Sequence, residues 1–190
     1  MNRYFIITLL ILFPLTLQSQ NRYGVTAALT TSTFSDGFFQ NTFIDSNFGY
    51  YVGVFYEQKL NDYIVFRPKA IITLQGDLKK DDIRWDNKDD VIDYKLLCLN
   101  FPMNFKFFSK PYVFIGPQFG VLLNTIKLNY DFGDPNKFDF GVNFGFGTDI
   151  KNKFFIELSS YQGFIKVIEV NDFNATNTII IQLGLGYRFK

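Results

Sequence analysis

The sequence predicts an all-β chain, an eight-stranded antiparallel up-and-down transmembrane β-barrel. Three observations carry that expectation. Hydrophobicity alternates with period two in eight segments, at roughly 22–33, 47–59, 62–75, 93–108, 111–127, 137–150, 153–163 and 176–189. The connections between them alternate between tight and long. Glycine and charge fall on one face of the segments, and Phe, Leu and Ile on the other.

Composition narrows the field before any element is placed. Of 190 residues, 47% are hydrophobic and 19% aromatic, with 25 Phe, 11 Tyr and 1 Trp. That much apolar content argues against disorder. One Cys and no His exclude an internal disulfide, a zinc centre and imidazole catalysis. The formal net charge of +1 gives no electrostatic case for nucleic acid as a partner.

The first 20 residues read as a secretory signal: Arg3, then the apolar run from Tyr4 to Leu17, then Gln18, Ser19 and Gln20. As a helix that run spans roughly 21 Å, short for a bilayer core of ~30 Å. Cleavage is expected near Ser19–Gln20, giving a signal peptide at 1–19 and one barrel domain at 20–190. Without Arg3 the chain carries 18 basic against 18 acidic side chains.

The segment 22–33 opens the meander. In the second, Gly49, Tyr51, Gly53, Phe55 and Glu57 alternate with Tyr50, Val52, Val54 and Tyr56. In the third, Arg67, Lys69, Thr73 and Gln75 alternate with Ile64, Phe66, Ala70, Ile72 and Leu74. The sixth is the clearest, with Phe138, Phe140, Val142, Phe144 and Phe146 on one face. Asp139, Gly141, Asn143, Gly145, Gly147 and Asp149 take the other. In the eighth, Ile179, Ile181, Leu183, Leu185, Tyr187 and Phe189 oppose Gln182, Gly184, Gly186 and Arg188. Pro68, Pro102 and Pro117 fall inside segments and are expected to mark bulges or bends. Tight links are expected at 60–61, 109–110 and 151–152, and long polar ones at 34–46, 76–92, 128–136 and 164–175.

A soluble barrel of this size would turn its apolar face inward, and a membrane barrel outward. Glycine and charge suit a narrow interior, whereas the Phe, Leu and Ile face would form a continuous band that lipid tolerates. Tyr23, Tyr56, Phe105, Phe107, Phe154, Tyr187 and Phe189 cluster toward the tight-turn ends of the segments. Phe48, Tyr50, Phe138 and Phe140 cluster toward the other ends, as two interfacial belts require.

On this parity the lumen holds Glu57, Asp139, Asp149 and Glu157 against Arg67, Lys69, Lys106 and Arg188. Four acids balanced by four bases suit a hydrogen-bonded plug, because buried charges need partners. A narrow polar pore is the alternative. Glu57 is expected near Arg67 or Lys69 across the 60–61 turn, and Glu157 near Arg188.

Several motifs resemble chemistry. Asp131-Phe132-Gly133 matches a kinase triplet, but lacks a glycine-rich nucleotide loop. Gly145-Phe146-Gly147 and Gly184-Leu185-Gly186 lead into no helix, unlike a dinucleotide fingerprint. Asn174-Ala175-Thr176 is a sequon by pattern. The 77–93 loop carries seven Asp and four basic residues without the ligand spacing of a calcium loop. Within it, Trp85 is a candidate partner contact. No cofactor or metal is expected.

The segments 23–32 (YGVTAALTTS), 99–108 (LNFPMNFKFF), 111–123 (PYVFIGPQFGVLL), 138–150 (FDFGVNFGFGTDI) and 179–190 (IIIQLGLGYRFK) resemble the PorT-like outer-membrane β-barrel family of Bacteroidota. The likeness covers essentially the whole chain after the signal. It implies residence in the outer membrane of a Gram-negative bacterium. Some members are linked to the type IX secretion system, which implies an accessory secretion role as one alternative, and the family offers no catalytic residues to transfer. The closing Gly186-Tyr187-Arg188-Phe189 resembles the terminal signal read by the barrel assembly machinery, with Lys190 as a departure. The expected partners are outer-membrane lipids, lipopolysaccharide, that machinery and other envelope proteins. The outer-membrane lipases, acyltransferases and proteases use an active-site His, so a non-enzymatic structural or interaction module is expected.

Overall fold

A computed structural model describes residues 21–35, 47–80, 91–108, 110–128, 135–151, 153–167 and 177–189. The expected signal peptide, Trp85, the Asp131–Gly133 triplet and the Asn174–Thr176 sequon lie outside the described residues. Every regular element described is a strand: β1 (Arg22–Ser35), β2 (Asn47–Lys59), β3 (Ile64–Lys80), β4 (Val91–Phe107), β5 (Tyr112–Leu128), β6 (Phe138–Ile150), β7 (Phe154–Lys166) and β8 (Asn177–Arg188). Consecutive strands pair antiparallel, and β8 pairs with β1 to close the barrel. Closure removes every free strand edge, the condition for sheet structure to cross a membrane.

The registers fix the barrel's shape. Carried round the ring from Gly24, they return to β1 at Phe34, a shear of ten residues. Shear and strand number together set the tilt, which for barrels of this kind is roughly 35–45°. An even shear also returns each lumen-facing residue to a lumen-facing partner; an odd one would turn one strand inside out.

The tight links lie at 60–63, 108–111 and 151–153, all at one end, which we call the short-turn end. Asn61 shapes the first of them. Its Oδ1 accepts hydrogen bonds from the backbone N–H groups of Tyr63 and Ile64, both at 2.8 Å. The exposed Lys59–Asp62 pair beside it, at 2.7 Å, holds the Asp62 carboxyl below its usual range. At the third link Lys151, with φ 58°, takes the left-handed turn position.

Three expectations are corrected. The β3–β4 ribbon runs on to Lys80 and Val91, through residues read from sequence as loop. A hairpin beyond the bilayer needs paired backbone and no apolar face, so charged residues extend it. Pro68, Pro102 and Pro117 cause no shift, since register is unchanged on either side of each. The irregularities instead lie between Lys95 and Leu96, Leu97 and Cys98, and Gln162 and Lys166. The last breaks the period-two pattern near the long-loop end: Tyr161, Gln162 and Gly163 are buried in succession, and so are Thr178, Ile179 and Ile180 opposite. Ile179, assigned from sequence to the outer face, is buried and pairs with Gln162, just before the shift.

The outer face is the apolar one. Leu29, Val52, Val54, Ile72, Ile115, Leu183 and Leu185 are all exposed around the barrel's waist. Exposed this broadly, such a band is stable only against lipid. Aromatic clusters flank it. Tyr23, Phe154, Tyr187 and Phe189 stack at the short-turn end, with centroids 4.9–5.7 Å apart. Phe119, Phe140 and Phe164 stack at the other end, 5.0 and 6.0 Å apart. Rings at these two levels match the interfacial girdles of membrane barrels.

Candidate functional site

The inward face forms the candidate site. Strand alternation aims alternate residues of all eight strands into one narrow lumen. Its short-turn half holds Glu57, Arg67, Lys69, Lys106, Glu157 and Arg188, all buried, with Asp149 nearby.

Two carboxylates organise these charges. Glu57 Oε1 accepts from Arg67 Nε at 2.7 Å and Lys106 Nζ at 3.1 Å, and its Oε2 accepts from Arg188 Nε at 2.9 Å. Glu157 accepts from Arg67 Nη1, from Lys69 Nζ at 2.7 Å and from the Tyr112 hydroxyl at 2.8 Å. Arg188 Nη2 also donates to Asp149 at 2.8 Å. Arg67 bridges the two carboxylates. It lies on β3 and Glu157 on β7, four strands apart on an eight-strand ring. Their direct ion pair therefore spans the full diameter of the lumen.

Three carboxylates face four cations, and aromatic rings offset the excess positive charge. The Arg67 guanidinium lies 4.3 Å from the Phe155 ring centroid, 5.4 Å from Tyr112 and 5.5 Å from Phe55. Lys106 Nζ sits 3.9 Å from the Tyr112 centroid, and Arg188 stacks 4.8 Å from Phe155. Desolvated cations over π-faces gain up to about 2 kcal/mol each.

The rings fit because glycines face them. Phe55 pairs with Gly24, Tyr112 with Gly147, Phe114 with Gly145 and Phe155 with Gly186. A Cβ on Gly186 would collide with the Phe155 ring, and one on Gly24 with Phe55. At Gly24, Gly147 and Gly186 a lumen ring thus occupies space that a side chain would need.

The long-loop half is chemically different. Its buried groups are mostly neutral and polar, including Thr30, Ser32, Thr73, Gln75, Asn100, Gln118, Asn143, Thr178 and Gln182. Short hydrogen-bonded pairs link some of them: Asn100 to Thr73 at 3.1 Å, Asn143 to Gln118 at 3.1 Å and Ser159 to Gln182 at 3.2 Å. Apolar Ile71, Leu96 and Ile180 fill between.

Of the residues assigned to one lumen charge network, seven converge and Asp139 does not. Asp139 lies in the long-loop half and makes no ion pair among the described residues. Glu57 does reach Arg67 across the first turn. The expected Glu157–Arg188 pair is absent: Arg188 turns to Glu57 and Asp149, and Glu157 takes Arg67 and Lys69. Shear causes the exchange, because it brings β3 and β7 side chains to one height across the lumen. Sequence reasoning missed the cation-stacking roles of Tyr112 and Phe155. The available signal was an aromatic residue in register with a glycine on the neighbouring strand. Among the described residues no group of three or more His, Cys, Asp or Glu could hold a metal.

The closed ring, lipid-facing band, aromatic girdles and filled polar lumen define a small membrane-spanning β-barrel. Residues 18–169 match the outer membrane protein beta-barrel domain family, and the chain belongs to it. It is thus a protein of the Gram-negative outer membrane. Neisserial surface protein A is 15% identical, with a TM-score of 0.51 over 90% of this chain and 98% of that one. Ail, the attachment invasion locus protein of Yersinia pestis, is 16% identical, with a TM-score of 0.48 over 89% of this chain and 99% of its own. At such identities the NspA likeness speaks to the fold alone. No functionally curated protein matches the chain in sequence.

Proposed function

We propose that the protein is a non-enzymatic structural and interaction module of the outer membrane, with a plugged lumen and its working surface at the long-loop end. The observation that carries this reading is the Arg67–Glu157 ion pair spanning the lumen diameter, backed by Glu57, Lys69, Lys106 and Arg188. Side chains locked to one another across the bore leave no polar path for a solute, which disfavours the porin-like alternative. In membrane barrels the short turns face the periplasm and the long loops the exterior. The charge network then closes the periplasmic side, and the loops are left to meet partners. The absence of His supports a role without catalysis.

Outer-membrane lipid and lipopolysaccharide contact the apolar band on this reading. The barrel assembly machinery reads the closing Gly186–Phe189 segment during insertion. The balanced charge gives nucleic acid no hold. The finer PorT-like assignment rests on the five resembling segments, and favours a second reading as an accessory of a type IX-like secretion system. Affinity purification in mild detergent separates the two. Stoichiometric recovery of secretion components, lost when the 81–90 loop is replaced by a Gly/Ser linker, supports the accessory reading. Recovery of other envelope proteins with the same loop dependence supports a separate module, and loop-independent recovery contradicts both.

A further inference from the structure

The long-loop half of the lumen contains a cavity of about 20 Å³, lined in part by Gln75, Cys98, Asp139 and Thr178. That is space for about one water-sized particle. Several polar atoms of these residues are buried without hydrogen-bond partners: Asp139 Oδ1, Gln75 Oε1 and Thr178 Oγ1. Thr178 is fully buried and Gln75 is 5% exposed. The Tyr161 hydroxyl adjoins the Asp139 carboxylate and can donate to it, and Oδ1 is the carboxylate oxygen without a partner. Every one of these orphans is an oxygen that can accept or coordinate. Asp139 Oδ1 and Gln75 Oε1 can only accept, so their complement is a donor or a cation, and the Thr178 hydroxyl can serve either as donor or as ligand.

The backbone leaves room around the carboxylate. Asp139 pairs with Gly120, and a Cβ added to Gly163 would stand 3.1 Å from Asp139 Oδ1 and 3.3 Å from Thr178 N. The space at Gly163 is bounded by both Asp139 carboxylate oxygens and the Thr178 amide nitrogen, and that at Gly120 by Asn100 Oδ1. A carboxylate oxygen buried without a partner carries a desolvation cost until a donor or a cation meets it.

We propose that this cavity is a monovalent-cation site, formed by the Asp139 carboxylate with Gln75 Oε1 and Thr178 Oγ1 as neutral ligands. Hard oxygen ligands suit an alkali ion, and the small volume suits a dehydrated one. A single carboxylate argues against a divalent ion, which gathers several. Lys137 and Lys166 border the same cavity and add to that argument. Both are exposed, where water and salt screen them, whereas Asp139 Oδ1 is buried.

The test follows thermal unfolding of the full refolded chain in detergent by circular dichroism. Sodium, potassium and choline chlorides are compared at equal ionic strength. The expected result is a higher, saturable Tm in sodium or potassium than in choline, with the difference gone in Asp139→Asn. Thr178→Val should raise the ion concentration needed for half the effect by roughly 3- to 10-fold, the equivalent of one lost polar ligand. Equal melting in all three salts overturns the proposal and leaves a cavity holding water only. Ion selectivity persisting in Asp139→Asn overturns it by placing the ion elsewhere. If Asp139→Asn does not fold, Thr178→Val and Gln75→Met carry the test, and an unchanged half-effect concentration in both overturns it.

Discussion

The two halves of the lumen share eight strands, one shear and one set of facing rules, yet they are stabilised differently. The short-turn half concentrates formal charge: Glu57 and Glu157 gather four cations, over rings that face glycines. The long-loop half uses neutral amides and hydroxyls in pairs, and leaves Asp139, Gln75 and Thr178 with unpartnered oxygens. The difference follows from what each arrangement permits. A charge network tolerates no missing member, because each loss strands a buried ion. Neutral pairs tolerate gaps that water or an ion can fill. One end is thus fixed and the other adaptable.

The largest expected effect breaks the fixed half. Arg67→Met removes the bridge between the two carboxylates and should cost roughly 3–5 kcal/mol, as for other buried pairs broken from one side. Urea unfolding in detergent measures it. Adding Glu157→Gln to Arg67→Met should cost less than Glu157→Gln costs in the wild type, because the Arg67–Glu157 contact is already gone. A double variant as destabilised as the sum of the two singles would deny that they act as a pair.

Next in size is overpacking. Gly186→Val drives a side chain into the Phe155 ring that stacks on Arg67 and Arg188, and should cost about 1–3 kcal/mol. Pairing it with Phe155→Leu should restore much of the stability. If the same restoration follows an unrelated substitution on the lipid face, the ring–glycine fit is not the cause.

The smallest effect belongs to the adaptable half. Asn143→Leu removes the hydrogen bond to Gln118 and should cost about 1 kcal/mol, the net worth of a neutral bond. A loss matching that of Arg67→Met would erase the contrast between the halves.

Much of the fold was legible because a barrel strand has one simple code. Period two placed Glu57, Arg67, Lys69, Lys106, Glu157 and Arg188 on the inner face, and the alternating connection lengths ordered the strands. The choice of partners was not legible. Arg67 meets Glu157, 90 residues away, only because of the shear, a property of the whole ring that no local pattern encodes. The same limit explains Asp139, whose strand parity was right but whose height along the barrel sets it apart. Bulges were misread for a related reason. Proline is a visible signal, but Pro68, Pro102 and Pro117 sit in an unbroken register, whereas the shift between Gln162 and Lys166 has no marker residue of that kind. Ile179 pairs with Gln162, the last residue before this shift.

The plugged lumen proposed above requires that the charge network close the bore at the short-turn end. Single-channel recording in planar bilayers tests it most directly, with the wild type beside a variant in which Arg67, Glu57 and Glu157 are replaced by Ser. A silent wild type and stable conductance steps in the inserted variant are expected. Stable steps from the wild-type barrel itself would contradict that closure.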